Sequence, residues 1–101
     1  MASERAIARQ ITTWLAGQRE CFYFRAAGGR GQMGGLPDII VCWRGRFVGL
    51  EVKQPGRYPT ARQKAVMAAI GRGRGVAAVV RSLDDVKAVL AGEDECDHSE
   101  N

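Results

Sequence analysis

Asp38, which follows Pro37, and the trio Glu51-Val52-Lys53 are the residues of this chain whose types and spacing could do chemistry together. Between them lies Trp43-Arg44-Gly45-Arg46. If Arg44-Gly45 is a two-residue hairpin turn, Trp43 pairs with Arg46 and paired residue numbers sum to 89. Asp38 then sits directly across from Glu51 on one face, with Cβ atoms about 4.5–5.5 Å apart. Lys53 shares that face and Val52 points to the other. An inserted bulge would change this register. Two carboxylates this close repel, and one keeps its proton unless a cation neutralises the pair. A hard divalent ion such as Mg²⁺ takes one or two carboxylates and completes its shell with water and phosphate oxygens. Such an ion lowers the pKa of bound water and stabilises an in-line phosphoryl transition state. A neighbouring lysine can orient that water or offset phosphate charge. The competing reading is an ion triad in which Lys53 bridges two acids.

The elements that must position these groups follow from periodicity. A helix is predicted from about Glu4 to Ala16, capped by Ser3, with the apolar stripe Ile7, Ile11, Trp14 and Leu15. Cys21 to Phe24 reads as an aromatic strand, and Ala26 to Gly35 as a glycine-rich loop. Leu36–Trp43 and Arg46–Lys53 form the hairpin, and Gln54 to Pro59 a loop. A second helix starts at the cap Thr60 and runs to about Ile70, before the glycines of residues 71–75. Val76–Val80 is a buried-type strand, and a third helix capped by Ser82 ends at Gly92. The order αβββαβα predicts an α/β fold around a mixed four-stranded sheet. The face bearing the two acids also holds Ile40, Cys42, Phe47 and Gly49. The other holds Ile39, Val41, Trp43, Val48, Leu50 and Val52. Both are apolar, so helices are expected on both. Gly49 leaves room beside Glu51 for something to approach.

Two further polar residues point toward the same place. Glu4 continues the first helix's apolar stripe, either as an outer metal ligand or as a first-turn acid meeting the helix dipole. Gln63 shares a stripe with Val66, Met67 and Ile70. It either reaches Lys53 or a catalytic water, or closes a capping box with Thr60. The string Gly29–Gly34 fits G-x-G-x-x-G, but a dinucleotide fold needs a helix there and Pro37 and a strand follow, so no nucleotide cofactor is expected. The loop is either an arm that sets Arg30 on a phosphate or a plain connector.

Charge narrows the partner. All 15 Lys and Arg fall in residues 1–91 against six acids, a balance of +9, while residues 92–101 carry −5. A body this basic suggests a nucleic acid, with Arg30, Arg44, Arg57, Arg62, Arg72 and Arg74 as candidate DNA contacts. The chain reads as one domain over 1–91 with a disordered acidic tail over 92–101. It holds no apolar run of membrane-spanning length and no signal core, so a cytoplasmic protein is expected. Cys21, Cys42 and Cys96, with the single His98, make neither a disulfide framework nor a zinc site.

Taken in order, Glu4, Gly35-Leu36-Pro37-Asp38, Glu51-Val52-Lys53 and Gln63 resemble the PD-(D/E)XK nucleases, and more narrowly a stand-alone VRR-NUC domain of phage or bacterial type. The resemblance spans roughly residues 4–90 and implies a restriction-endonuclease-like αβββαβ core. It implies that Asp38, Glu51 and the Val52 carbonyl hold Mg²⁺, with Mn²⁺ able to substitute, that Lys53 is catalytic, and that Glu4 and Gln63 assist. Small members resemble Holliday-junction resolvases, which implies a homodimer acting on branched DNA. The alternatives from another class are a catalytically silent nucleic-acid-binding module and a flap or nicking subunit of a repair or phage assembly. Trp14, Phe22, Phe24 and Trp43 are many aromatics for a thin core, and Trp43 is a candidate for a dimer interface.

Overall fold

The turn at Arg44-Gly45 organises the centre of the molecule. Arg44 has φ 51° and Gly45 φ 87°, the pair of left-handed conformations that joins two strands through a two-residue I′ turn. In the computed structural model, which describes residues 2–26 and 33–95, the elements are α1 (Glu4–Ala16), β1 (Cys21–Arg25), β2 (Ile39–Trp43), β3 (Arg46–Val52), α2 (Ala61–Arg72), β4 (Val76–Val80) and α3 (Leu83–Glu95). Pairing runs from Trp43↔Arg46 to Ile39↔Leu50, which is the register the sequence predicts.

The sheet has the order β1-β2-β3-β4, antiparallel except for the parallel pair β3–β4 that α2 connects. This is the expected mixed four-stranded α/β sheet flanked by helices. Its core lies on one side. Ile7, Ala8, Ile11 and Leu15 of α1 and Val86 and Leu90 of α3 pack against Ile39, Val41, Trp43, Val48, Leu50, Val52 and Val80. Ser3 accepts the Ala6 N–H at 3.1 Å and Ser82 the Asp85 N–H at 3.1 Å, so both helices have the caps expected of them.

The structure corrects four expectations. β2 begins at Ile39 rather than Leu36; Pro37 brings no N–H to a ladder, and Asp38 meets β3 with its side chain. α3 continues past Gly92 to Glu95, so the acidic segment starts inside a helix. There Asp94 accepts the Trp43 Nε1–H at 2.8 Å and pairs with Arg44 at 2.8 Å, and Glu93 pairs with Arg46 at 3.1 Å. Trp43 is 3% exposed and stacks on Trp14 with ring centroids 6.1 Å apart, so the chain itself covers the proposed interface residue. Finally, α2 lies on the second face but has no buried residue. It leaves the β1–β2 half of that face open, with Phe22, Phe24 and Cys42 exposed. Among the described residues, no helix is long and apolar enough to cross a membrane.

Candidate active site

Strand β3 is central, with β2 on one side and β4 on the other, and every residue from Val48 to Val52 is buried. Its last residue and the two that follow are gripped through successive backbone amides. Val52 N–H donates to Asp38 Oδ2 at 2.8 Å, Lys53 N–H to the Val80 carbonyl at 3.0 Å, and Gln54 N–H to Glu4 Oε2 at 3.1 Å. The Asp38 carboxylate thus takes over where the β2 ladder ends, and it is held in place while its Oδ1 is left out of that bond. The Asp38 carbonyl accepts the Ala26 N–H at 2.9 Å, which ties the end of β1 to the same point.

Among the described residues, Glu51 is the buried charged side chain, 1% exposed. Its Oε2 accepts the Gln63 Nε2–H at 3.0 Å and lies 3.7 Å from Lys53 Nζ. Its Oε1 is buried without a hydrogen-bond partner. Burial, followed by the negative charge of Asp38, pushes the Glu51 carboxyl up to about 7, against the opposing pull of Lys53. Asp38 therefore acts on Glu51 as a neighbouring negative charge, in keeping with a register that runs to Ile39↔Leu50.

Gln63 closes the capping box with Thr60, and its free amide group reaches Glu51 rather than Lys53 or a water. Its Oε1 accepts the Thr60 N–H at 2.8 Å while Thr60 Oγ1 accepts the Gln63 N–H at 3.1 Å, completing the capping box. With Oε1 committed to the cap, only Nε2 is left to donate, and it donates to Glu51. The box therefore orients the amide toward the acid. Glu4 turns inward as expected, but its partner is the Gln54 amide, so it secures the chain just beyond Lys53.

Gly49 has a different role from the one its spacing suggested. A Cβ there would stand 2.7 Å from Pro37 Cγ, so the room beside Glu51 is filled by the proline that precedes Asp38. Gly35, with φ 84°, lies so close to α2 that a Cβ would come within 2.9 Å of the Arg62 carbonyl oxygen. The end of the glycine loop thereby packs on the first turn of α2, one residue from Gln63. Sequence reading missed this contact, although the Gly34-Gly35 pair just before Pro37 was its visible trace.

A divalent cation fits this donor set. A buried carboxylate oxygen lacking a donor is costly, and the neighbouring Asp38 adds a second hard oxygen ligand. Among the described residues, no group of three or more His, Cys, Asp or Glu forms. An ion here would be held by one or two carboxylates and would depend on water, main-chain and substrate oxygens for the rest, which suits Mg²⁺ better than a structural metal.

No protein-family model and no curated protein matches the sequence. Solved structures do match the fold. One described as a "VRR_NUC domain protein" superposes with a TM-score of 0.75 at 20% identity, covering 89% of this chain and 86% of its own. Another, a "VRR_NUC domain", has a TM-score of 0.62 at 20% identity and covers 87% and 90%. The chain has the VRR-NUC fold.

Within this VRR-NUC fold the candidate arginines separate. Arg62 lies beside the site, across Gly34 and Gly35. Arg72 is exposed at the far end of α2 and Arg74 just past it, and Arg57 is exposed in the loop after β3, its carbonyl accepting from Arg81 at 2.7 Å. Arg44 sits at the hairpin turn, about 20 Å along the strands from Asp38, paired with Asp94 and stacked over Trp43 at 4.2 Å. Arg30 falls outside the described residues.

Proposed function

We propose that this chain is a divalent-metal-dependent DNA endonuclease that hydrolyses phosphodiester bonds. The observation that carries the reading is Glu51, a carboxylate buried on a central strand with one oxygen unpartnered and with Asp38 and Lys53 beside it. The VRR-NUC fold and the basic body support it. Asp38, Glu51 and the Val52 carbonyl would hold Mg²⁺ or Mn²⁺. Bound there, the ion would supply an activated water and charge neutralisation at the phosphate. The remaining work falls to the chain's own groups. Lys53 holds a positive charge at Glu51 Oε2, where it can orient a water or meet phosphate oxygen. Gln63 keeps the Glu51 carboxylate from turning, and the bond of Asp38 to the Val52 amide fixes the second carboxylate.

Branched DNA is the proposed substrate class. One such domain offers one site, whereas a symmetric junction needs paired nicks, which a two-fold homodimer would deliver. The test is incubation of labelled four-way junction, flap and linear duplex with Mg²⁺ or EDTA, alongside light scattering. Cleavage that needs Mg²⁺ supports the reading, and junction cleavage by a species of about 22 kDa, two chains, supports its finer form. Salt-sensitive binding without cleavage under any metal would replace it with a silent binding module.

A further inference from the structure

The face of the sheet that carries the carboxylates is laid out in three cross-strand rows. Strand register gives the rows Phe24–Ile40–Gly49 and Phe22–Cys42–Phe47, and the same register carried one residue past Ile39↔Leu50 sets Asp38 level with Glu51. Phe22 is 67% exposed, Phe24 50% and Phe47 46%, and no described element covers them. The Phe22 and Phe24 rings stand 6.3 Å apart. At the far end, Phe47 joins Ile70, Gly73 and Gly75 around an apolar hollow of about 350 Å³. Exposed Arg72 and Arg74 flank Gly73 in sequence there.

We propose that these three phenylalanines form a stacking platform for unpaired nucleobases of the strand that runs across the sheet to the Asp38–Glu51 pair. The proposal rests on the nucleic-acid reading above and narrows the branched-DNA class to branches with unpaired nucleotides next to the cut, such as flaps and splayed arms, rather than a fully paired four-way junction.

Three arguments favour bases over other occupants. Phenylalanine offers a π-face and no hydrogen-bonding group, which suits stacking that tolerates any sequence. An open sheet face presenting aromatics is a known solution for splayed single strands. In a duplex, by contrast, base faces are buried against one another, so such a platform discriminates for unpaired nucleotides. The setting is also charge-complementary, since Arg62 lies near the site end and Arg72 and Arg74 near the Phe47 end, where phosphates of the same strand can be met. A second copy of the chain is a poorer fit. The three rings expose roughly 300 Å², so an interface of ~800 Å² per partner would have to draw most of its area from residues outside the platform.

The experiment uses the full chain and fluorescein-labelled duplexes of equal length, one blunt and one with a single-stranded overhang. Affinity is read by anisotropy in EDTA. The wild type should prefer the overhang. The double variant Phe22→Ala/Phe24→Ala should lose that preference by about 5- to 150-fold per base that loses its partner, and Phe24→Trp should keep it. An unchanged preference in the alanine variant, or none in the wild type, overturns the platform. So does a fall in mass from two chains to one in that variant, which would make the face a contact between copies. The cleavage assay with Mg²⁺ is scored separately. Metal-dependent cutting with a preference unaffected by the alanines sinks the platform and leaves the nuclease standing. A preference that the alanines abolish, with no cutting under any metal, does the reverse.

Discussion

Leu50 and Glu51 are neighbours on β3, 0% and 1% exposed, and they face opposite sides of the sheet. Leu50 enters a layer closed by α1 and α3, an apolar cluster that includes Ile11, Val41, Val86 and Leu90. Glu51 enters a layer half covered by α2, where its carboxylate has an amide on one oxygen, an ammonium nearby, no donor on the other oxygen and the Asp38 carboxylate beside it. One face stores folding energy, and the other gives some of it up to hold charges close together. A single strand can do both because its side chains alternate. The lesson is that burial alone does not identify a structural residue; the partners of the buried atoms do.

The largest effects expected from that contrast are on cleavage. Asp38→Asn and Glu51→Gln should each reduce Mg²⁺-dependent cutting of labelled DNA by about 100-fold or more, with the thermal transition retained. Lys53→Ala should lose cutting while still binding DNA in a gel shift, since its place is in the chemical step. Wild-type turnover in these variants would put the site elsewhere.

On the other face, Leu50→Ala or Ile11→Ala should cost about 2–5 kcal/mol in a denaturant titration, because each leaves a cavity in a closed layer. The contrast is sharpest in what Glu51→Gln does to stability. The folded Glu51 carboxyl titrates near 7 against the ordinary 4.5, so the native state binds the extra proton between those values. Stability without divalent ions should therefore be full below about pH 4.5 and fall as pH rises through 7. The loss attributable to this group is up to about 3 kcal/mol. Glu51→Gln should flatten that slope and raise the melting temperature at pH 8, although it sits one residue from a position where truncation is severe. A steeper slope in the variant would contradict the origin given for the shift.

The smallest effect concerns the acidic end of α3. Asp94→Asn with Glu93→Gln releases Arg44 and Arg46 from partly exposed pairs, which should cost about 1 kcal/mol of stability. DNA affinity should rise by a small factor at low salt and not at high salt, as deletion of residues 92–101 should also show. Anisotropy across a salt series would read it.

Much of this was legible before any coordinates. Turn chemistry at Arg44-Gly45 set the hairpin, and the hairpin's period of two set which residues share a face, so Asp38, Glu51 and Lys53 could be placed together from numbers alone. Caps at Ser3, Thr60 and Ser82 and the order of elements gave the mixed sheet, because these signals are local. What tertiary structure decided was coverage and partnership. Sequence periodicity makes both faces of the hairpin apolar, but only packing leaves Phe22 and Phe24 uncovered and closes α1 and α3 over the other side. Composition marks residues 92–101 as an acidic run, yet Asp94 and Glu93 meet Trp43, Arg44 and Arg46 only because α3 brings them across the sheet. The same holds at the site. That Gln63 caps a helix follows from its spacing to Thr60, but that its other amide atom reaches Glu51 depends on where α2 lies on the sheet. Local spacing fixes which atoms a side chain can offer, and long-range packing fixes which atoms are there to receive them.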